Sequence, residues 1–240
     1  LFKIISENQI YEANQMKIIA IGGGGFTHDT EPDLDDLCLS ETGCNHPRVA
    51  FIGTASGDDP VKIERFRARF ADVAASLEHF QMTLSAAQLT QKLGQVDLVY
   101  VGGGDTEKMV SAWRQSGWDD VLRKAYQSGV ILAGVSAGAV CWFDTFLFSS
   151  GKGVMRPLPG LGLIPLGACP HYSSETDRRA ALHAAVTAKT MPASVAIDDG
   201  VAIVFENGSP TRVFTAQKGS GAYMVYWSPQ GATEQTLSID

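Results

Sequence analysis

This 240-residue chain predicts an α/β fold: a mostly parallel sheet covered by helices on both faces, with a small antiparallel C-terminal extension. Three observations carry the prediction. Continuous apolar runs alternate with helical stretches, as strands buried on both faces require. Each run stops at glycines or small polar residues. The last third changes to short apolar runs separated by turn residues such as Asn207-Gly208.

In chain order the strand-and-loop units are Lys17–Gly25, Arg48–Gly57, Val96–Thr106 and Gly129–Gly138. Helices are expected between them over Val61–Phe80 and Thr106–Ala125, from apolar residues near helical spacing. Gly160–Leu166 reads as loop and Glu175–Ala188 as helix. Val195–Ile197, Val201–Phe205, Arg212–Thr215 and Ala222–Trp227 read as the short strands of the extension. In a parallel sheet the loops after strand C-termini form the ligand crevice. That rule gathers Gly23–Gly25, Thr54–Gly57, Gly102–Asp105 and Ser136 around one cleft.

Composition narrows the class. A hydrophobic fraction of 45% and a charged fraction of 19% fit a globular domain with a large core. The net charge of −7 argues against nucleic acid or an anionic membrane as the main partner. No apolar run is long enough for a membrane span, and the opening Leu-Phe-Lys-Ile-Ile is too short for a signal peptide. The four cysteines form no CxxC pair, so reduced thiols and a cytoplasmic location are expected. Residues 1–15 precede a strand that reads like a natural start. They are expected to be an extension or residues added for expression, leaving 16–240 as a single α/β domain.

The richest motif is Gly134-Val-Ser-Ala-Gly138, which sets a serine between a buried strand and a helix start. Such a turn lifts the hydroxyl clear of the backbone and places it where free N–H groups favour negative charge. A serine nucleophile needs a base and a group that fixes the base's tautomer. Of five histidines, His28 and His46 fall in early loops, and His79 and His183 on expected helices. His171, after Pro170, falls on a loop behind an apolar stretch and is the candidate base. Asp198-Asp199 lies in a turn between strands, with Asp144 as the rival acid. The order serine, acid, histidine of α/β-hydrolases would instead pair Asp144 or Asp177 with His183. The oxyanion hole is assigned to the N–H groups of Ala137 and Gly103.

Cofactor chemistry finds no support. Gly22–Gly25 lacks the G-x-G-x-x-G spacing because position 27 is Thr, and no Walker lysine follows any loop. The acids around His28 (Asp29, Glu31, Asp33, Asp35, Asp36) lack distinctive ligand spacing and read as a solvated loop and helix start, so no metal is assigned.

The segments IIAIGGGGF, FIGTASGD, VYVGGGDT, GVSAGAVCWF, CPHY and AIDDGVA, spread from about residue 17 to 205, together resemble the aspartyl dipeptidase (peptidase E) and cyanophycinase family. That resemblance implies a fold similar to class I glutamine amidotransferases and flavodoxin. It also implies a serine peptidase with Ser136 as nucleophile and His171 as base. The third member varies in the family among Glu, Asp and an amide, and the position matching it here is Asp199. Family substrates are dipeptides with an N-terminal aspartate or, for cyanophycinases, β-linked aspartyl–arginine. Either requires a cation for the aspartyl carboxylate, for which Arg178 and Arg179 are the candidates. The expected activity is therefore an Asp-X serine dipeptidase with a small peptide as partner. A β-aspartyl hydrolase and a catalytically degenerate binding module are the alternatives, and a homodimer is left open.

Overall fold

Adjacent apolar residues in each buried run point to opposite faces of a strand, and here both faces find helices. In the computed structural model, which describes residues 16–151, 153 and 155–239, the chain forms two sheets. The expectation for residues 1–15 falls outside the described residues.

The first sheet begins with β1 (Lys17–Ile21), β2 (Arg48–Ile52), β3 (Ser76–Phe80), β4 (Leu98–Val101) and β5 (Ile131–Val135). It is completed by β10 (Val201–Glu206) and β11 (Ser209–Thr215), in the order β11-β10-β1-β5-β4-β2-β3. The first five strands are mutually parallel, and β10 and β11 add antiparallel beyond β1. Ile19, Ile21, Phe51, Tyr100 and Val135 face α1 (Asp33–Ser40) and α2 (Pro60–Phe70), packing on Leu34, Leu37, Phe66 and Phe70. Ile18, Ile52, Val99, Val101 and Leu132 face α3 (Ala86–Leu93), α4 (Thr106–Ser116) and α5 (Trp118–Gln127), with Trp113 and Trp118 at the centre.

The second sheet holds β6 (Phe143–Ser149), β7 (Met155–Pro159), β8 (Ile164–Cys169), β9 (Ser194–Ile197), β12 (Ala222–Ser228) and β13 (Gly231–Thr236), in the order β13-β12-β9-β8-β6-β7. Strands β6, β8 and β9 run parallel and the outer strands antiparallel. Phe143, Phe146, Ile164, Val195 and Ile197 join the same core as α4 and α5, which locks this sheet to the first. Helix α7 (Asp177–Thr187) covers the other side through Leu182 and Val186.

The α/β class stands, and three local expectations change. The run Val61–Phe80 is not one helix: α2 stops at Phe70 and β3 follows. Strand β3 lies at the sheet edge with alternating exposed residues, so it lacks the apolar continuity of its neighbours and carries His79 on a strand. Thr106–Ala125 is broken at Gly117, whose φ of 76° ends α4 in a left-handed cap. Part of the expected loop Gly160–Leu166 is the start of β8, and the expected antiparallel extension divides: β10 and β11 join the first sheet, while β9 and β12 join a second sheet whose centre, β6, β8 and β9, is parallel.

Candidate active site

The nucleophile side is built by close packing. Ser136 sits between β5 and the short helix α6 (Ala137–Val140), with φ 55° and ψ −114°, a strained conformation for a residue bearing a side chain. Its N–H donates to the Ile21 carbonyl (2.9 Å), which ties the turn to β1. A Cβ on Gly138 would lie 2.1 Å from the Val101 carbonyl oxygen, so only glycine lets α6 approach β4 this closely. The turn therefore holds Ser136 partly exposed above a buried strand end.

The candidate base comes from the second sheet. His171 lies just beyond the end of β8, as expected of a loop on a rigid strand, and has φ 52°. Its Nε2 lies 2.7 Å from Ser136 Oγ, and its Nδ1 lies 2.6 Å from Asp199 Oδ1. An ionised carboxylate can only accept, so Nδ1–H donates to Asp199 and neutral Nε2 accepts the serine hydroxyl. That is the tautomer a general base requires. The bond from His171 is the main influence holding the Asp199 carboxyl below its ordinary range, against the opposing effect of burial. The imidazole is largely buried, at 16% exposure.

Asp199 is positioned by the first glycine loop. Gly23 bridges to it in parallel register, and the Gly200 N–H donates to the Gly23 carbonyl (2.9 Å). A Cβ on Gly23 would stand 2.0 Å from Asp199 Oδ1 and 2.9 Å from His171 Nδ1. The close approach of bare backbone is thus what leaves room for the His–Asp pair. The neighbouring Asp198 is turned away from His171. Buried, it accepts from Ser173 Oγ (2.6 Å) and the Gly221 N–H (2.9 Å). Asp144, the rival acid, is exposed on β6.

Gly103 is buried, a Cβ built on it would lie 3.2 Å from Ser136 Cβ, and Ala137 N–H opens α6 where no intrahelical acceptor exists. Both residues expected to form the oxyanion hole thus lie beside Ser136. The two arginines do not join this group. Arg178 is buried and donates to Glu175 (2.8 Å) and the Leu147 carbonyl (3.3 Å). Arg179 pairs with Glu234 (2.8 Å) and lies over the Tyr172 and Tyr223 rings. Both guanidiniums are thus engaged within the protein, Arg178 with β6 and Glu175 and Arg179 with β13.

Several contributors carried no sequence signal. Glu234, on β13, accepts from Tyr172 Oη, His183 Nε2 (2.9 Å) and Arg179, and so anchors the residue next to His171. His183 is therefore a tether for β13. Lys62, on α2, donates to the Gly103 carbonyl (2.9 Å). His28 stacks edge-on to His171, with ring centroids 6.3 Å apart, and Nδ1 is 3.1 Å from the Gly24 carbonyl. Asp35 is not solvated as expected: it is fully buried, accepts the Phe26 N–H (3.0 Å) and lies 3.3 Å from Arg69 Nε. Burial pushes its carboxyl up to about 7, against the lowering influence of Arg69. No helix among the described residues is long and apolar enough to cross a membrane.

Known proteins share this sequence and fold. An uncharacterized peptidase of Bacillus subtilis, YgaJ, is 36% identical over 227 residues, covering 93% of this chain and 97% of its own. A peptidase E of Streptomyces coelicolor is 28% identical over 52% of this chain and 51% of its own. The crystal structure of a peptidase from an acI-B1 Actinobacterium superposes with a TM-score of 0.71 at 17% identity, covering 95% of this chain and 96% of that one. A structure of a putative peptidase E from Listeria monocytogenes gives 0.59 at 18% identity, over 93% and 100%. The model of peptidase family S51 matches residues 18–213. This chain, a hydrolase of the peptidase E type, belongs to peptidase family S51.

Proposed function

We propose that the protein is a serine dipeptidase that releases aspartate from Asp-X substrates through an acyl-enzyme on Ser136. The observation that carries this reading is the continuous chain Ser136–His171–Asp199, with contacts of 2.7 and 2.6 Å. Ser136 Oγ attacks the aspartyl carbonyl carbon while Nε2 of His171 takes its proton. The tetrahedral oxyanion is held by the N–H groups of Ala137 and Gly103. As the C–N bond breaks, His171 returns the proton to the departing amine. Water, deprotonated by the same imidazole, then opens the ester and frees aspartate. Asp199 holds the ring and stabilises the imidazolium at each stage.

A dipeptide panel tests the reading, with Ser136→Ala as the blank. The native protein should cleave Asp-X, and Ser136→Ala should lose at least about 10⁴-fold in kcat/KM while keeping its circular dichroism spectrum. Preferred cleavage of β-Asp-Arg would move the substrate to the cyanophycinase class. Failure of a fluorophosphonate to label folded protein at Ser136 would reject the nucleophile.

A further inference from the structure

Lys62 occupies a costly place for a cation. It lies in the first turn of α2, where the helix dipole disfavours positive charge and where Asp59 already caps the backbone. It is half-buried, forms no ion pair among the described residues, and burial holds its ammonium below the ordinary lysine range. The charge of Asp59 offsets this only in part, and the nearby Arg65 adds to the lowering. Its hydrogen bond, 2.9 Å to the Gly103 carbonyl, attaches it to the loop that packs on Ser136. An ammonium carries three donors, so two remain for another acceptor.

The other cations near the cleft are committed. Arg156 bonds both Glu107 oxygens at 2.7 Å, Lys108 pairs with Asp105, and Arg65 donates to the Thr27 carbonyl. Arg178 and Arg179 serve Glu175 and Glu234. A carboxylate arriving beside Gly103 would relieve each cost at Lys62 at once: it supplies the missing counter-charge, accepts the spare N–H bonds, and lies at the positive end of α2.

We propose that Lys62, and neither Arg178 nor Arg179, receives the side-chain carboxylate of the substrate's N-terminal aspartate, making it the specificity-determining residue of the site. This rests on the Asp-X reading above. Anchored on Gly103, the ammonium would place the substrate's carboxylate at a fixed distance from the oxyanion loop, so that side-chain recognition also seats the scissile carbonyl over Ser136 Oγ.

The experiment compares Asp-X with its amide isostere Asn-X in the full chain, and reads the ratio of kcat/KM for the native protein, Lys62→Gln and Lys62→Arg. The ratio cancels any change in the Gly103 loop that affects both substrates alike. In parallel, protection of Ser136 from a fluorophosphonate by L-aspartate is compared with protection by L-asparagine. The native protein should favour the acid in both assays. Lys62→Gln should lower that preference about 10- to 100-fold, the worth of a charge-assisted hydrogen bond, and Lys62→Arg should retain most of it. A native preference that survives in Lys62→Gln overturns the role of Lys62 and leaves the Asp-X reading standing. Absence of any native preference overturns the Asp-X reading and this inference with it. A loss matched equally by Lys62→Arg overturns charge recognition in favour of loop positioning.

Discussion

The two halves of the site are held by different physics. Ser136 is fixed by a contiguous stretch, Gly134 to Gly138, whose backbone packs against β1 and β4 with no room for added atoms. His171 is fixed by polar tethers from distant sequence: Asp199 is 28 residues away, and Glu234, which bonds its neighbour Tyr172, is 62 residues from that tyrosine. The contrast teaches that the position of Ser136 is steric and local, whereas that of His171 is electrostatic and long-range. Errors in the first exclude atoms; errors in the second misplace a proton.

Among the changes that test this comparison, the largest expected effect falls on the His171 side. Asp199→Asn should lower kcat/KM by about 10³- to 10⁴-fold, because an amide can donate to Nδ1 and favour the wrong tautomer. The melting temperature should move little, and a Ser136–His171 contact that keeps full activity without the carboxylate would break the comparison. Gly23→Ala comes next. Its backbone tolerates alanine in torsion, but the new Cβ would fall on Asp199 Oδ1, so activity should fall about 10²-fold. Overpacking of this kind destabilises by roughly 1–3 kcal/mol, which urea titration can measure. A variant that retains activity would show that the pair has slack.

Glu234→Gln probes the tether itself. It removes the charge facing Arg179 and His183 and weakens the acceptor for Tyr172, so kcat should fall about 10-fold with KM nearly constant. Unchanged kcat would mean that β13 supports the sheet but not the base. The smallest effect on activity concerns Asp35, behind the glycine loop, where the expected change is in stability. Its folded pKa of about 7 exceeds the unfolded value near 4, so the native state binds the extra proton. Stability is then greatest below about pH 4 for this group and is lost as pH rises through about 7, by at most about 4 kcal/mol. Asp35→Asn should flatten that slope, leaving urea midpoints alike at pH 4.5 but higher than native at pH 8.

The legible parts of this protein are those whose cause is local. Runs such as KIIAI, LVYV and ILAGV announce buried parallel strands, because strands covered on both faces need apolar residues at every position. The serine elbow is legible for a related reason: glycines at fixed offsets leave the turn few other shapes. Strand β3 reads as helix because its alternating SLEHF sits at an edge, where half the side chains meet water and helical and strand patterns overlap. For the arginine pair, sequence proximity to His171 carries no information about direction. In the fold, α7 turns Arg178 into the protein toward Leu147 and Glu175.

By itself the sequence determined the parallel core, the strand-end loops and the elbow that presents Ser136, since each follows from periodicity or from the sterics of a few adjacent residues. Beside Ser136 and His171 the residues alone left several acids open, the family resemblance chose Asp199, and the fold brings the three within hydrogen-bond distance. Only the tertiary structure decided that Gly23 makes room for the His–Asp pair, that Glu234 reaches back from the last strand, and that Lys62 stands at the oxyanion loop. The physical reason is the same in each case. A steric contact, a hydrogen bond or an ion pair depends on distances of a few ångströms between residues far apart in the chain, and composition or spacing along the chain does not encode those distances.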